Sequence, residues 1–285
     1  MQPEAITIST PHLTFSAVQW GDPDGHPVIA LHGWLDNLAS FTPMAPHLQG
    51  IRLIAVDQAG HGHSQHRPAG FSYDVWHYVE DLLYIADALK LDKFGLVGHS
   101  LGAVVCTMAA GSVLKDRLTG LVAIDGLFPR PRKPEESPGA LTRYILQRQT
   151  PTDQLPKTVY RSKQQAIRAR TLSEFKVSSA SAELLVDRSM REVDDGWVWT
   201  HDARLKLGSP TRFTLEQTLA FPNEVICPAH VVYASKGVSG QIVDEFAHQL
   251  PHFVFHAMEG HHHLHMDDQV ESVAAVVNSV FSSRV

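Results

Sequence analysis

Gly98-His99-Ser100-Leu101-Gly102 sets a serine between two glycines, with the apolar run Lys93–Val97 before it and Ala103–Ala110 after it. G-x-S-x-G between a strand and a helix has a mechanical meaning. The sharp turn forces the serine into a strained conformation and lifts its hydroxyl over the sheet edge. The following helix points its free N–H groups and positive dipole end at the same place. Without those flanks the segment would be only a glycine cap and a serine cap between ordinary elements.

Three more segments could supply the partners of a nucleophilic serine. His32-Gly33-Trp34 follows a strand, and a glycine there lets the chain turn so that the next amide faces a developing oxyanion. The Trp34 and Leu101 N–H groups are the expected donors. Glu259-Gly260-His261-His262-His263-Leu264-His265 carries four histidines in five residues. Zinc binding is disfavoured there, because adjacent loop histidines lack the i, i+4 helical spacing of H-E-x-x-H and no cysteine lies near. One of these histidines as a general base is the better reading, and no metal is expected. For the acid, the turn Ser235-Lys236-Gly237-Val238-Ser239 offers no carboxylate. Asp244 falls inside a helix pattern. Asp125 ends the strand that follows the nucleophile helix and is favoured, as the group that would fix the tautomer of the base. Asp57, opening Asp57-Gln58-Ala59-Gly60-His61-Gly62-His63-Ser64, is read as holding the amides of its own turn, with a catalytic role as the minor alternative. His99 is not a candidate base, since alternation along the strand points it away from the hydroxyl.

The elements around these residues alternate. Strands are expected at 12–20, 27–32, 51–57, 94–99, 120–125, 229–234 and 253–258. Helices are expected at 40–48, 73–89, 103–114, 242–250 and 268–281, the second on apolar spacing at Val75, Val79, Leu82, Leu83, Ala86 and Leu89. This is an α/β chain with a doubly wound, mostly parallel sheet covered on both faces. His32, Asp57, Ser100 and Asp125 all fall at the carboxyl ends of strands, where such sheets bind ligands. After the linker Pro129–Pro134 the pattern changes to amphipathic helices, with a turn and strand at Asp194–Trp199. Residues 1–127 and 219–285 are therefore expected to form the core, and 128–218 an inserted, mostly helical cap. Leu127, Phe128, Trp34 and His99 are the expected substrate-binding residues.

Composition narrows the function classes. The 285 residues are 44% hydrophobic and 19% charged, with a net charge of −6, which disfavours nucleic acid and anionic membranes as partners. The two cysteines, Cys106 and Cys227, are too few for a disulfide scaffold. Cys106 reads as a small core residue. The N-terminus lacks a basic region followed by an apolar block, and Ser282–Val285 is no standard targeting tail, so a cytoplasmic protein is expected. Composition leaves the oligomeric state open.

With these motifs in place, the chain resembles the α/β-hydrolase superfamily. The resemblance rests on His32-Gly33, D-x-x-G-H-G-x-S at Asp57–Ser64, G-H-S-x-G at Gly98–Gly102 and the terminal histidine motif. His32-Gly33-Trp34-Leu35-Asp36-Asn37, Gly196-Trp197-Val198 and Asp202-Ala203-Arg204-Leu205 resemble the serine hydrolase-like proteins more closely. The resemblance implies an acid after the sixth strand, in agreement with Asp125. It also implies a base at the first histidine of G-H-x-x-H. Placing Leu264-His265-Met266 on the usual ending of that motif makes the base His262, with His261, where a glycine is usual, and His263 as the neighbouring candidates. Relatives with this acid placement include haloalkane dehalogenases and epoxide hydrolases, which use an aspartate nucleophile. Ser100 instead implies acyl transfer to water, on a small-molecule ester or related acyl substrate and without a cofactor. A catalytically silent binding protein on the same fold, and a cofactor-free lyase or oxygenase, are the alternatives.

Overall fold

The structure is a computed structural model that describes residues 3–211 and 213–282. The extreme terminal residues used for the leader and targeting-tail expectations lie outside this range. Strands β1 (Glu4–Ser9) and β2 (Thr14–Gly21) form a hairpin, and β3 (His26–Leu31) and β4 (Ile51–Val56) follow. Helix α1 (Val75–Ala88) leads to β5 (Phe94–His99), α2 (Leu101–Ala110) and β6 (Leu118–Ile124). A long excursion then carries α3 (Ser137–Arg148), α4 (Lys163–Thr171), α5 (Ser179–Ser189), the hairpin β7 (Met190–Val193) with β8 (Gly196–Trp199), and α6 (Leu215–Asn223). The chain returns to the sheet with β9 (Ala229–Lys236), α7 (Gly240–Phe246), β10 (Phe253–His261) and α8 (Val270–Phe281).

The eight-stranded sheet runs β1-β2-β4-β3-β5-β6-β9-β10. The β1–β2 and β2–β4 pairs are antiparallel, and every other pair is parallel. This is the expected doubly wound α/β architecture. Two cores sandwich the sheet. On one face Leu82 and Ile85 of α1 and Val105, Cys106 and Ala109 of α2 pack with Leu96 and Leu121. On the other, Val273, Val277 and Phe281 of α8 pack with Val97, Val122 and Val232. Leu96 and Val97 are neighbours in β5 and enter opposite cores, as the two-residue strand period requires. With helices on both sides, every residue of β5 is buried.

Two elements differ from expectation. Strand β1 was not expected, because it is an edge strand in which only Ile8 is buried and its pattern carries little signal. The helix expected at 40–48 is instead two short 3₁₀ turns, Leu38–Phe41 and Ala45–His47. Pro43 and Pro46 remove the N–H groups that a continuous α-helix there would use. Among the described residues, no helix is long and apolar enough to cross a membrane.

Candidate active site

Ser100 sits between the end of β5 and the start of α2 with φ 52° and ψ −113°, one of four non-glycine residues at positive φ among those described. For a side chain with a Cβ this conformation is strained. The turn is locked from both sides: Ser100 N–H donates to Ile124 O at 2.9 Å, and Val104 N–H to Ser100 O at 3.1 Å. Gly102 is required by close approach, since a Cβ there would lie 2.0 Å from Leu31 O.

The amides around the serine divide clearly. Gly102 N–H donates to His32 O at 3.1 Å, and Leu35 N–H to His61 Nε2 at 3.2 Å. Among the described residues, the Trp34 and Leu101 amides make no turn or loop hydrogen bond, and Leu101 opens a helix whose first N–H groups have no intrahelical acceptor. These are the two amides expected to face an oxyanion.

Asp125 follows β6 at φ 41° and is fully buried. Its Oδ2 lies 2.6 Å from His262 Nδ1 and accepts from Val238 N–H at 2.9 Å. Its Oδ1 accepts longer bonds from Ala234 N–H at 3.3 Å and Ser239 N–H at 3.4 Å. The turn after β9, which lacks a carboxylate, thus supplies amides to a carboxylate from β6. Gly237 makes the room: a Cβ there would come within 2.3 Å of Asp125 Oδ2. With its Nδ1 proton given to Asp125, His262 keeps Nε2 as an acceptor. Its ring packs 4.9 Å from Phe175 and 4.6 Å from His99, centre to centre.

The other sequence candidates fall as follows. Asp57 accepts from Leu38 N–H at 2.9 Å and His63 N–H at 2.8 Å, and the Arg188 guanidinium of α5 grips both its oxygens. Trp34 is 45% exposed and donates from Nε1 to Leu205 O at 3.0 Å. His99 corrects the expectation of a substrate contact. It has no exposed surface, and its Nε2 is 3.0 Å from His262 O. Leu127 and Phe128 pack in the core, Phe128 against Phe246 at 6.1 Å. A cavity of about 200 Å³ reaches His262 past Phe175, Lys176, Lys236 and Val238. A second, of about 210 Å³, opens beside Leu35 between Arg170, Trp199 and His201.

His263 and His265 follow His262 in the same loop, their rings packed on His262 and His99 respectively. His263 Nε2 is 3.0 Å from Asp36 Oδ2, whose other oxygen meets Arg170 of α4. Burial disfavours charge on Asp36, but Arg170 and His263 outweigh it and hold the carboxyl well below the usual range. Asp36, His99 and His263 form a buried group of three whose metal-type donor atoms all lie within 4.8 Å of one another. Arg170 Nη2 already stands 3.5 Å from His263 Nε2, so the charge a metal would bring is in place and the group fits an ion-pair network better. The sequence reading missed Gly237, Phe175, Arg170 and the role of Asp36. Only Asp36 lay in a recognised motif.

Burial lowers His265 to about 3 and His201 to about 4, and lowers His99, His61 and His32 as well. A buried neutral histidine stabilises the fold fully above its unfolded value near 6.5. That stability is lost as pH falls toward the folded value, because the unfolded chain takes up the proton first. Asp81, raised to about 6 by burial despite Arg67, opposes this trend. Stability is expected to fall between pH 7 and 5, His265 and His201 net of Asp81 accounting for about 2 kcal/mol of it and His99, His61 and His32 adding in the same direction. Urea midpoints at the two pH values check this, and equal midpoints would contradict it.

The α/β-hydrolase fold family model matches residues 26–269, and the chain belongs to that family. It is 29% identical over 272 residues to the serine hydrolase-like protein of Danio rerio, covering 90% of this chain and 82% of that one. A solved structure of a hypothetical protein from Pseudomonas aeruginosa PAO1 is 41% identical, superposes with a TM-score of 0.90 and covers 98% of each chain. The thioesterase domain from the curacin biosynthetic pathway shares the fold, with a TM-score of 0.85 and 21% identity over 97% of this chain and 99% of that one.

Proposed function

We propose that the chain is a serine hydrolase that cleaves a carboxylic ester, thioester or related acyl bond through an acyl-enzyme. The observation that carries this reading is the 2.6 Å Asp125–His262 contact beside a strained, positive-φ Ser100. The name of the serine hydrolase-like relative and the thioesterase domain among its structural neighbours support the same reading.

In this mechanism Ser100 Oγ attacks the acyl carbon while His262 Nε2 takes its proton. Asp125 holds the Nδ1 proton and stabilises the imidazolium. The Trp34 and Leu101 N–H groups receive the oxyanion, and holding that charge commonly contributes more to the rate than any other single effect. Collapse expels the leaving group with the proton from His262. Water then attacks the acyl-enzyme with His262 again as base and frees Ser100. The segment 128–218 acts as the cap, and Trp34 lines the substrate entry.

Labelling with a fluorophosphonate probe, read by intact mass, tests the proposal. A single adduct on the wild type, absent from Ser100→Ala, is expected. No adduct on folded protein would overturn it and favour a catalytically silent binding protein. A labelled protein that turns over only substrates without an acyl group would favour a lyase or oxygenase.

A further inference from the structure

We infer that Asp36 is a positioning residue, through which the inserted segment sets the placement and charge environment of Ser100 and His262. The inference rests on the serine-hydrolase reading. Asp36 is 4% exposed and touches the chain neighbour of each reacting group. Its Oδ2 is 3.0 Å from Nε2 of His263, the residue after His262, and 3.7 Å from Nδ1 of His99, the residue before Ser100. Asp36 also closes the turn that presents the Trp34 amide, with its N–H on Gly33 O at 3.1 Å. Consecutive histidines are thus each held by a separate buried carboxylate, His262 by Asp125 and His263 by Asp36.

The same turn is strapped to the inserted segment. Trp34 Nε1 donates to Leu205 O, Asp36 meets Arg170, and Asn37 Nδ2 donates to Leu185 O at 2.9 Å and Ser189 Oγ at 2.7 Å. Movement of α4 therefore pulls on a carboxylate that touches both loops of the reaction centre. Asp36 and Arg170 are opposite full charges, while His99 and His265 stay neutral through burial. Asp36 is faced by Arg170, His263, His99 and His265, with His32 and His61 on the adjoining turns. His262 is faced by Asp125, His99, His263 and His265, and shares its cavity with Glu174, Lys176, Lys236 and His261. Removing one member of the Asp36–Arg170 pair leaves the other as an uncompensated charge near the base.

The test is the second-order rate of fluorophosphonate labelling against pH for wild type, Asp36→Asn, Arg170→Gln and the double variant. Asp36→Asn is expected to label roughly 10- to 100-fold more slowly, as for a misplaced reacting group. Its acid limb should move down by about half a unit, because the remaining Arg170 charge opposes protonation of the base. Arg170→Gln leaves the carboxylate uncompensated and should move the limb up. The double variant should restore the limb but not the rate. A structural role alone would change the folded fraction and move no limb. Wild-type rates and an unmoved limb in Asp36→Asn would overturn the inference. If that variant fails to fold, an unmoved limb in Arg170→Gln does so. A wild type that does not label would instead defeat the hydrolase reading itself.

Discussion

Ser100→Ala is expected to lower kcat by roughly 10⁴ to 10⁶ on any ester or thioester the wild type turns over, with KM changed little. The change deletes the proposed nucleophile and leaves the amides of Trp34 and Leu101 in place, so weak catalysis by water in the same site should survive. Folding should be unaffected, since alanine and serine carry the same Cβ into the φ 52° conformation. Ser100→Gly separates the two roles of this position. Glycine accepts positive φ without penalty, so that variant should be as inactive as alanine yet about 1 kcal/mol more stable. Steady-state kinetics with thermal melts of the three proteins reads both effects. Retained turnover in Ser100→Ala would move the chemistry to another residue.

That strain was legible in the sequence, because glycines at 98 and 102 around a serine, set between an apolar strand and an apolar helix, mark a place where the two nearly touch. The central strands were legible too, since they are short apolar runs buried on both faces. β1 was not, because an edge strand with one buried residue has no periodic signature. The site divides in the same way. Residues that follow directly on a strand can be placed from the alternation, and the structure sets Ser100, Asp125 and Trp34 just after β5, β6 and β3. His99 was misplaced because a strand-end position fixes which element a residue belongs to, not what covers it. The 261–265 loop and the turn at Asp36 cover it completely, and both come from distant parts of the chain. Gly237 and Arg170 were invisible for that reason: each matters only through contact with a carboxylate more than a hundred positions away.

Asp125→Asn is expected to lower kcat by about 10⁴, through the tautomer of His262 rather than through its position. The carboxylate accepts four hydrogen bonds and donates none: His262 and Val238 on Oδ2, Ala234 and Ser239 on Oδ1. The asparagine amide has one acceptor oxygen and one NH₂ group that only donates, so it cannot accept on both sides. If its NH₂ faces the Oδ2 side, it meets His262 Nδ1 and the Val238 N–H. The imidazole must then present a bare Nδ1 and carry its proton on Nε2, where it cannot deprotonate Ser100. If the NH₂ faces the other side, it meets the Ala234 and Ser239 amides, donor against donor. The base then keeps its tautomer while the turn after β9 loses its anchor. Either arrangement leaves buried donors unsatisfied, so stability should fall by about 1 to 3 kcal/mol. The two outcomes separate by experiment. The first gives a folded protein with kcat down and KM held, and the second a larger loss of stability with more activity retained. Near wild-type turnover together with wild-type stability would remove Asp125 as the acid and return Asp57, held by Arg188, to consideration.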